Sequence, residues 1–308
     1  MGTPNVQLRV AAHFAHVDAP PMAADLRRTL VHNSAQATIP AELRARIQAD
    51  EPLVFDELSD SAFDSNMYPE LDCDMLWKRV GRIAQRAAEC VEDLRDENAW
   101  CKVVDMVLEL ALDSTAFELP FEILNIQSQP LNRQFLPCVQ TSSGGLEPVV
   151  KRSDFAIGVK QKPNVDPSIL PASVMSDTYT QSIPVVGAIE VKRHGGNAEE
   201  AELQLVVWQA ASLAHLQSLK SRGCNDLIMP PIIGWTVIGH SWKFYMAWNH
   251  PENGNVTAVG PFSPSNAGTD SIASIFVLLK LLQKLFNWYQ DKFYPVYNGL
   301  LQQSLSTA

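Results

Sequence analysis

Cationic side chains are scarce in this chain: 24 lysines and arginines stand against 34 aspartates and glutamates in 308 residues, a formal net charge of −10. A protein that coats nucleic acid by electrostatics alone is normally basic, because phosphate neutralisation and counterion release supply most non-specific affinity. The balance therefore argues against a passive binder, yet leaves room for an enzyme with a local basic groove beside acidic metal ligands. Long apolar runs are missing too. The longest, Ile272 to Phe286, is interrupted by Lys280, Gln283 and Lys284, short of the roughly 18–20 uncharged apolar residues of a membrane span, so no membrane is expected. No basic start with an apolar core and a small-residue cleavage site opens the chain, and secretion is not expected. Met1-Gly2 invites a myristoylation reading, but Val6 stands where Ser or Thr is wanted. The five cysteines (Cys73, Cys90, Cys101, Cys138 and Cys224) are odd in number and form no CxxC pair. They read as reduced thiols of a cytoplasmic or nuclear protein. A GxxxxGK[ST] loop, a helix-opening GxGxxG and a GxSxG elbow are all absent. The seven histidines are scattered, and the one close pair, His13 and His16, reads as surface rather than as zinc ligands.

What is present is globular: 46% hydrophobic and 19% charged residues in a length at the upper edge of what one core supports. Residues 1–65 carry Pro4, Pro20, Pro21, Pro40 and Pro52 with weak periodicity, and read as an irregular N-terminal arm with a short helix near Ala41–Gln48. Residues 66–308 read as one domain. Leu76, Val80, Ile83, Ala87, Val91 and Leu94 recur at helical steps and predict a helix over about Leu71–Arg95. A second helix is predicted from Glu97 to Leu112 on Trp100, Val103, Val104, Val107, Leu108 and Ala111. Glu97 is either an acid favoured by the helix dipole or a carboxylate aimed inward at a site.

From Arg133 the pattern turns to strands: Gln134–Thr141, weakened by Pro137, then Asp154–Val159 and Val185–Lys192. The proline-rich segment 160–184 between the last two reads as a loop. A helix from Ala198 to Ser221, closed by Gly223, precedes two strands in 232–248 joined near Gly239-His240. A last helix, Asp270–Tyr294, is expected to end before Pro295. The order describes an α/β core with a mixed sheet, a helical preface and a helical tail.

One constellation could carry chemistry. Strand side chains alternate, so Glu190 and Lys192 project from one face while Val191 points to the other. If the strand opened by Asp154 pairs alongside, two carboxylates converge next to one lysine. Converging carboxylates repel unless a cation or proton joins them, and hard oxygen ligands suit Mg²⁺ or Mn²⁺. A neighbouring lysine can orient or help deprotonate a metal-bound water and stabilise charge on an attacked phosphorus. The plain alternative is a salt bridge at a strand end. Gln204 and Trp208 share a face of the following helix, whose apolar girth requires a partner for the glutamine.

Asp154, Glu190-x-Lys192 on a strand, and a helix with Gln204-Leu205-Val206-Val207-Trp208 resemble the PD-(D/E)XK nuclease superfamily. The closer likeness is to fungal PD-(D/E)XK nuclease-like domain proteins. Four of their features stand in order here: Glu97-Asn98-Ala99-Trp100, Ile189–Arg193, Gln204–Ala210 and Gly239–Tyr245. The resemblance covers roughly residues 70–295 and implies a restriction-endonuclease-like fold, a mixed β-sheet core flanked by helices. It implies that Asp154 and Glu190, helped by the Val191 carbonyl, ligate Mg²⁺ or Mn²⁺. Lys192 would be the catalytic lysine, Glu97 the helix carboxylate completing the acidic cluster, and Gln204 a supporting polar group. The chain departs from the pattern at Ser153, where the motif has proline, and at Cys101 and Val104-Asp105, where Asn and a Val-His pair are expected.

The implied function is metal-dependent phosphodiester hydrolysis in DNA or RNA. The net charge keeps two alternatives open: a nuclease fold repurposed as a non-nucleolytic enzyme acting on a small molecule, or as an interaction module. Lys151, Arg152, Lys160 and Lys162 around Asp154, with Lys192-Arg193-His194, would form one phosphate-facing edge, or simply be solvated loop cations. Trp235, Trp242 and Trp248 would stack bases or, as core residues, pack the sheet. Trp288, Tyr289, Phe293 and Tyr294 either close a core or anchor a partner. Nothing in the sequence sets the oligomeric state.

Overall fold

The computed structural model describes residues 6–31, 37–65, 68, 71–140, 145–161, 170–222, 227–250, 254–263 and 266–306. Seven strands form one mixed sheet: β1 (Val6–Arg9), β2 (Phe121–Asn125), β3 (Phe155–Val159), β4 (Val185–Lys192), β5 (Ile232–Ile238), β6 (Ser241–Asn249) and β7 (Val256–Phe262). Their spatial order is β1-β7-β6-β5-β4-β3-β2. The pairs β1/β7 and β4/β5 are parallel and the other four antiparallel. Every residue of β3 and β4 is buried, so neither shows the alternation of a half-exposed strand, as expected for central strands covered on both faces.

The longer helices are α1 (Pro21–Val31), α2 (Cys73–Glu92), α3 (Glu97–Asp113), α4 (Ala198–Lys220), α5 (Ile272–Trp288) and α6 (Tyr294–Ser306), and two short ones, Arg44–Asp50 and Pro52–Glu57, lie between α1 and α2. Side chains of Asp72, Asp96, Asn197 and Ser271 accept a backbone N–H three residues on and so start α2, α3, α4 and α5. Helix α4 packs on β4, β5 and β6, and α3 packs on β4 and β2. Gly234 is held against Leu205 of α4, whereas Gly187 of β4 is held against the Tyr289 hydroxyl. Gly187 is level with Ile233, the neighbour of Gly234, so those two contacts lie on opposite faces of the sheet.

Several elements differ from the sequence expectation. The segment before residue 66 carries more than a short helix: β1 pairs with β7, and α1 buries Ala23, Leu26 and Leu30 completely. Gln134–Thr141 is not a sheet strand. Arg133–Phe135 is a 3₁₀ turn, and Cys138–Gln140 pairs with Leu146–Pro148 in a separate two-stranded ribbon. Strands β2 and β7 lie where none was expected. Pro295 does not end the last helix, because a wider π turn over Tyr289–Phe293 precedes it and α6 continues to Ser306. In the 160–184 segment, Leu170, Ala172, Val174 and Met175 are buried and Ser173 Oγ donates to the Thr180 carbonyl, so its described part is packed structure. Gly223, expected to close α4, lies outside the described residues. By length and composition Ile272–Leu305 would suffice to cross a membrane, but 72% of its most apolar window is buried inside the molecule, as in a core helix.

Candidate active site

The site forms where β3 ends and β4 runs on. The Asp154 N–H donates to the Ile189 carbonyl (3.2 Å), and the Asp154 carbonyl accepts from the Ile126 N–H (2.9 Å). Beyond that point the Val191 N–H donates to Asp154 Oδ2 at 2.7 Å, a carboxylate replacing the missing rung. The N–H and C=O of one strand residue leave on the same edge, so the Val191 carbonyl turns towards Asp154 as well.

Alternation puts Glu190 and Lys192 on one face, and Lys192 Nζ donates to Glu190 Oε1 at 2.8 Å. The same ammonium lies 3.4 Å from Glu97 Oε2. Glu97 stands in the first turn of α3, directly after the Asp96 cap that fixes the helix start. The structure thus gathers Asp154, Glu190, Lys192 and Glu97. Glu190 is 1% exposed and Lys192 8%, whereas the Glu97 side chain is half-open. Among the described residues Glu190 Oε2 has no hydrogen-bond partner.

Two carboxylates pair with one ammonium while the Asp154 charge acts on both Glu190 and Lys192, and the pKa shifts follow from that surplus. Burial, then the Asp154 charge, push the Glu190 carboxyl up to about 8 from 4.5. Burial works to lower the Lys192 pKa, but Glu190, Glu97 and Asp154 together outweigh it and hold the amine above its ordinary value. The lysine is firmly a cation. Burial also raises the Cys101 thiol, and Asp154 adds to the effect.

Two glutamines hold Asp154 and the chain that leads to it. Gln204 Nε2 donates to the Arg152 carbonyl at 3.2 Å and so holds the chain just before Asp154, rather than touching a carboxylate. Gln127, which no sequence pattern marked, donates from Nε2 to Asp154 Oδ1 at 2.9 Å, and the same group lies 3.2 Å from Cys101 Sγ. The separated motifs meet elsewhere too. The Trp100 ring stands edge-on to His240 with centroids 5.2 Å apart, joining α3 to the β5–β6 turn. The Gly239 N–H of that turn donates to the Lys192 carbonyl at 3.0 Å.

Other expected site features fall elsewhere. Lys160 lies at the opposite end of β3, 3.7 Å from Glu122, so it does not belong to an edge with Lys151 and Arg152. Lys162 lies outside the described residues, as do the side chains of His13 and His16. Trp235, Trp242 and Trp248 are buried and pack against other aromatic rings; Trp288, Tyr289, Phe293 and Tyr294 are buried as well and close the core. Cys73, Cys90, Cys101 and Cys138 are free thiols.

The donors present fit a hard divalent ion. They are carboxylate and carbonyl oxygens, one of them an orphaned buried oxygen, in a cluster with a formal excess of two negative charges. Among the described residues no three histidine, cysteine or carboxylate side chains converge as a metal-ligating group. Such an ion would keep much of its water.

The family model described as the PD-(D/E)XK nuclease superfamily matches residues 44–294. No curated protein matches the chain.

Proposed function

Because the chain belongs to the PD-(D/E)XK nuclease superfamily, we propose that it hydrolyses phosphodiester bonds in nucleic acid with a divalent cation, Mg²⁺ or Mn²⁺. Asp154, Glu190 and the Val191 carbonyl would hold the ion. The observation that carries this reading is Glu190 Oε2, a carboxylate oxygen buried near a second acid with no hydrogen-bond partner among the described residues. Leaving such a group unmatched costs folding free energy, which a bound cation would recover. When bound, the ion would supply Lewis-acid polarisation of the phosphate and a more acidic water.

The chain's own residues do the rest. Gln127 and the Val191 N–H fix both oxygens of Asp154, leaving a second lone pair on each. The Lys192 ammonium, steadied between Glu190 and Glu97, places positive charge where a phosphate would arrive and draws in its extra negative charge at the transition state. Gln204 keeps the approach to Asp154 in register through Arg152.

The test compares wild type with Lys192→Ala on single- and double-stranded DNA and RNA in Mg²⁺ or Mn²⁺. Wild type should cleave in a metal-dependent manner, and the variant should be slower by about 100-fold or more. Wild type cleaving no better than the variant would overturn the reading.

The removal of Lys160 to the far end of β3 favours a second use of the site. Lys151, Arg152 and Arg193 remain as the described cations that flank the acids in the chain, enough for a small anionic substrate. Calorimetry showing tight binding of an organic phosphate with no response to Mg²⁺ would establish that use instead.

A further inference from the structure

The ribbon formed by Cys138–Gln140 and Leu146–Pro148 stands outside the main sheet and leads within six residues to Asp154. Its register pairs Gln140 with Leu146, Val139 with Glu147 and Cys138 with Pro148. The Val149 N–H donates to the Pro137 carbonyl at 2.9 Å, continuing the pairing by one step. Alternation then sets Leu146 and Pro148, with their partners Gln140 and Cys138, on one face and Val139 with Glu147 on the other, and Val150 follows just beyond the paired residues.

The first face is open and, apart from the exposed Gln140 at its edge, apolar. Leu146 is 62% exposed and Val150 57%, and Pro148 between them is exposed too. Lys151 and the exposed Arg152 follow at once, and Gln204 pins the Arg152 backbone two residues before the proposed metal ligand. From Leu146 to Asp154 the chain can span at most about 28 Å, the reach of several nucleotides in one strand.

We infer that the Leu146–Pro148 face of this ribbon, with Val150, Lys151 and Arg152 directly after it, is a docking track for single-stranded nucleic acid, whose unpaired bases lie on the apolar side chains. The inference rests on the proposed nuclease reading and narrows its substrate class. The cations answer phosphate charge. The aliphatic side chains gain nothing from phosphate, but leave water when covered by the flat face of a base. In a duplex those faces are already stacked and offer only their edges. The opposite ribbon face would set the Glu147 carboxylate against phosphates, so the track has one usable side.

The test uses the full chain with labelled single-stranded and blunt duplex oligonucleotides of equal length, measured by fluorescence anisotropy with divalent ions chelated. Cleavage in Mn²⁺ is then measured on the same strands. The double variant Leu146→Ser/Val150→Ser changes exposed positions and should keep its melting temperature, yet lose about tenfold in affinity for the single strand. Its weaker affinity for duplex should be unchanged. Val139→Ser, on the other face, should match wild type. Lys151→Gln/Arg152→Gln should weaken both substrates and flatten the salt dependence.

Wild-type single-strand affinity in the double variant, an equal loss on duplex, or an equal loss in Val139→Ser would each overturn the track. If wild type cleaves and the double variant cleaves single strands equally well, the track falls and the nuclease reading stands. If wild type neither binds nor cleaves, both fall.

Discussion

A lysine stands beside a glutamate at each end of β3, one pair with β2 and the other on β4, and the two ends behave differently. At one end Lys160 lies 3.7 Å from Glu122, with side chains 57% and 13% exposed. At the other, Lys192 lies 2.8 Å from Glu190, with side chains 10% and 1% exposed. Water screens the first pair, and such contacts contribute about 0–1 kcal/mol. The second is largely withdrawn from water and crowded by two more carboxylates, so its charges cannot settle among themselves. Similar residue types thus make surface decoration at one end and an incomplete electrostatic unit at the other. Burial and an unequal count of charges separate the two.

The sharpest way to break that contrast is Lys192→Ala in metal-free protein. It should cost about 3 kcal/mol in denaturant titration, because it strands Glu190; a loss as small as that of a surface lysine would erase the distinction. Titrating Glu190 sharpens it further. Its carboxyl is raised from 4.5 to about 8, so the folded chain keeps a proton that the unfolded chain sheds. That contribution is complete below pH 4.5 and disappears as pH climbs through 8. Without divalent ions, wild-type stability should fall across this window and Glu190→Gln should fall less; parallel curves would contradict the burial argument. A milder effect is expected from Gln127→Leu, which frees one Asp154 oxygen while leaving the fold intact. Mn²⁺ affinity by calorimetry should drop about tenfold, and an unchanged affinity would remove Gln127 from the site. At the exposed end, Lys160→Ala should shift stability by no more than about 0.5 kcal/mol and leave cleavage untouched.

Much of the site was legible because its residues sit in regular elements. Asp154, Glu190 and Lys192 border two continuous apolar strands, and Gly239-His240 marks a hairpin turn by type alone. Glu97 was readable as a first-turn acid with two meanings, and its contact with Lys192 is visible only in the fold. Gln127 was invisible, since it lies on an aperiodic loop and meets Asp154 from 27 residues away. The missed strands have local reasons as well. β2 is five residues long and mostly half-buried, and β7 contains Gly260-Pro261, a pair that speaks for a turn. β1 has no signal of its own and is a strand through its pairing with β7, some 250 residues later. Lys160 was misplaced by treating sequence neighbours of Asp154 as spatial neighbours, although the five-residue strand between them sets them about 20 Å apart.

The contact between Gly187 and the Tyr289 hydroxyl also bears on how the protein comes into being. The strand that ends in Glu190 and Lys192 has a bare notch, and the phenol that fills it arrives 102 residues further along the chain. While a ribosome is still making the stretch between them, the acids and the amine can already be adjacent, but the wall behind their strand stands open. Final seating of that strand must then wait for late synthesis, and a stalled nascent chain would expose its middle to any hydrophobic surface nearby.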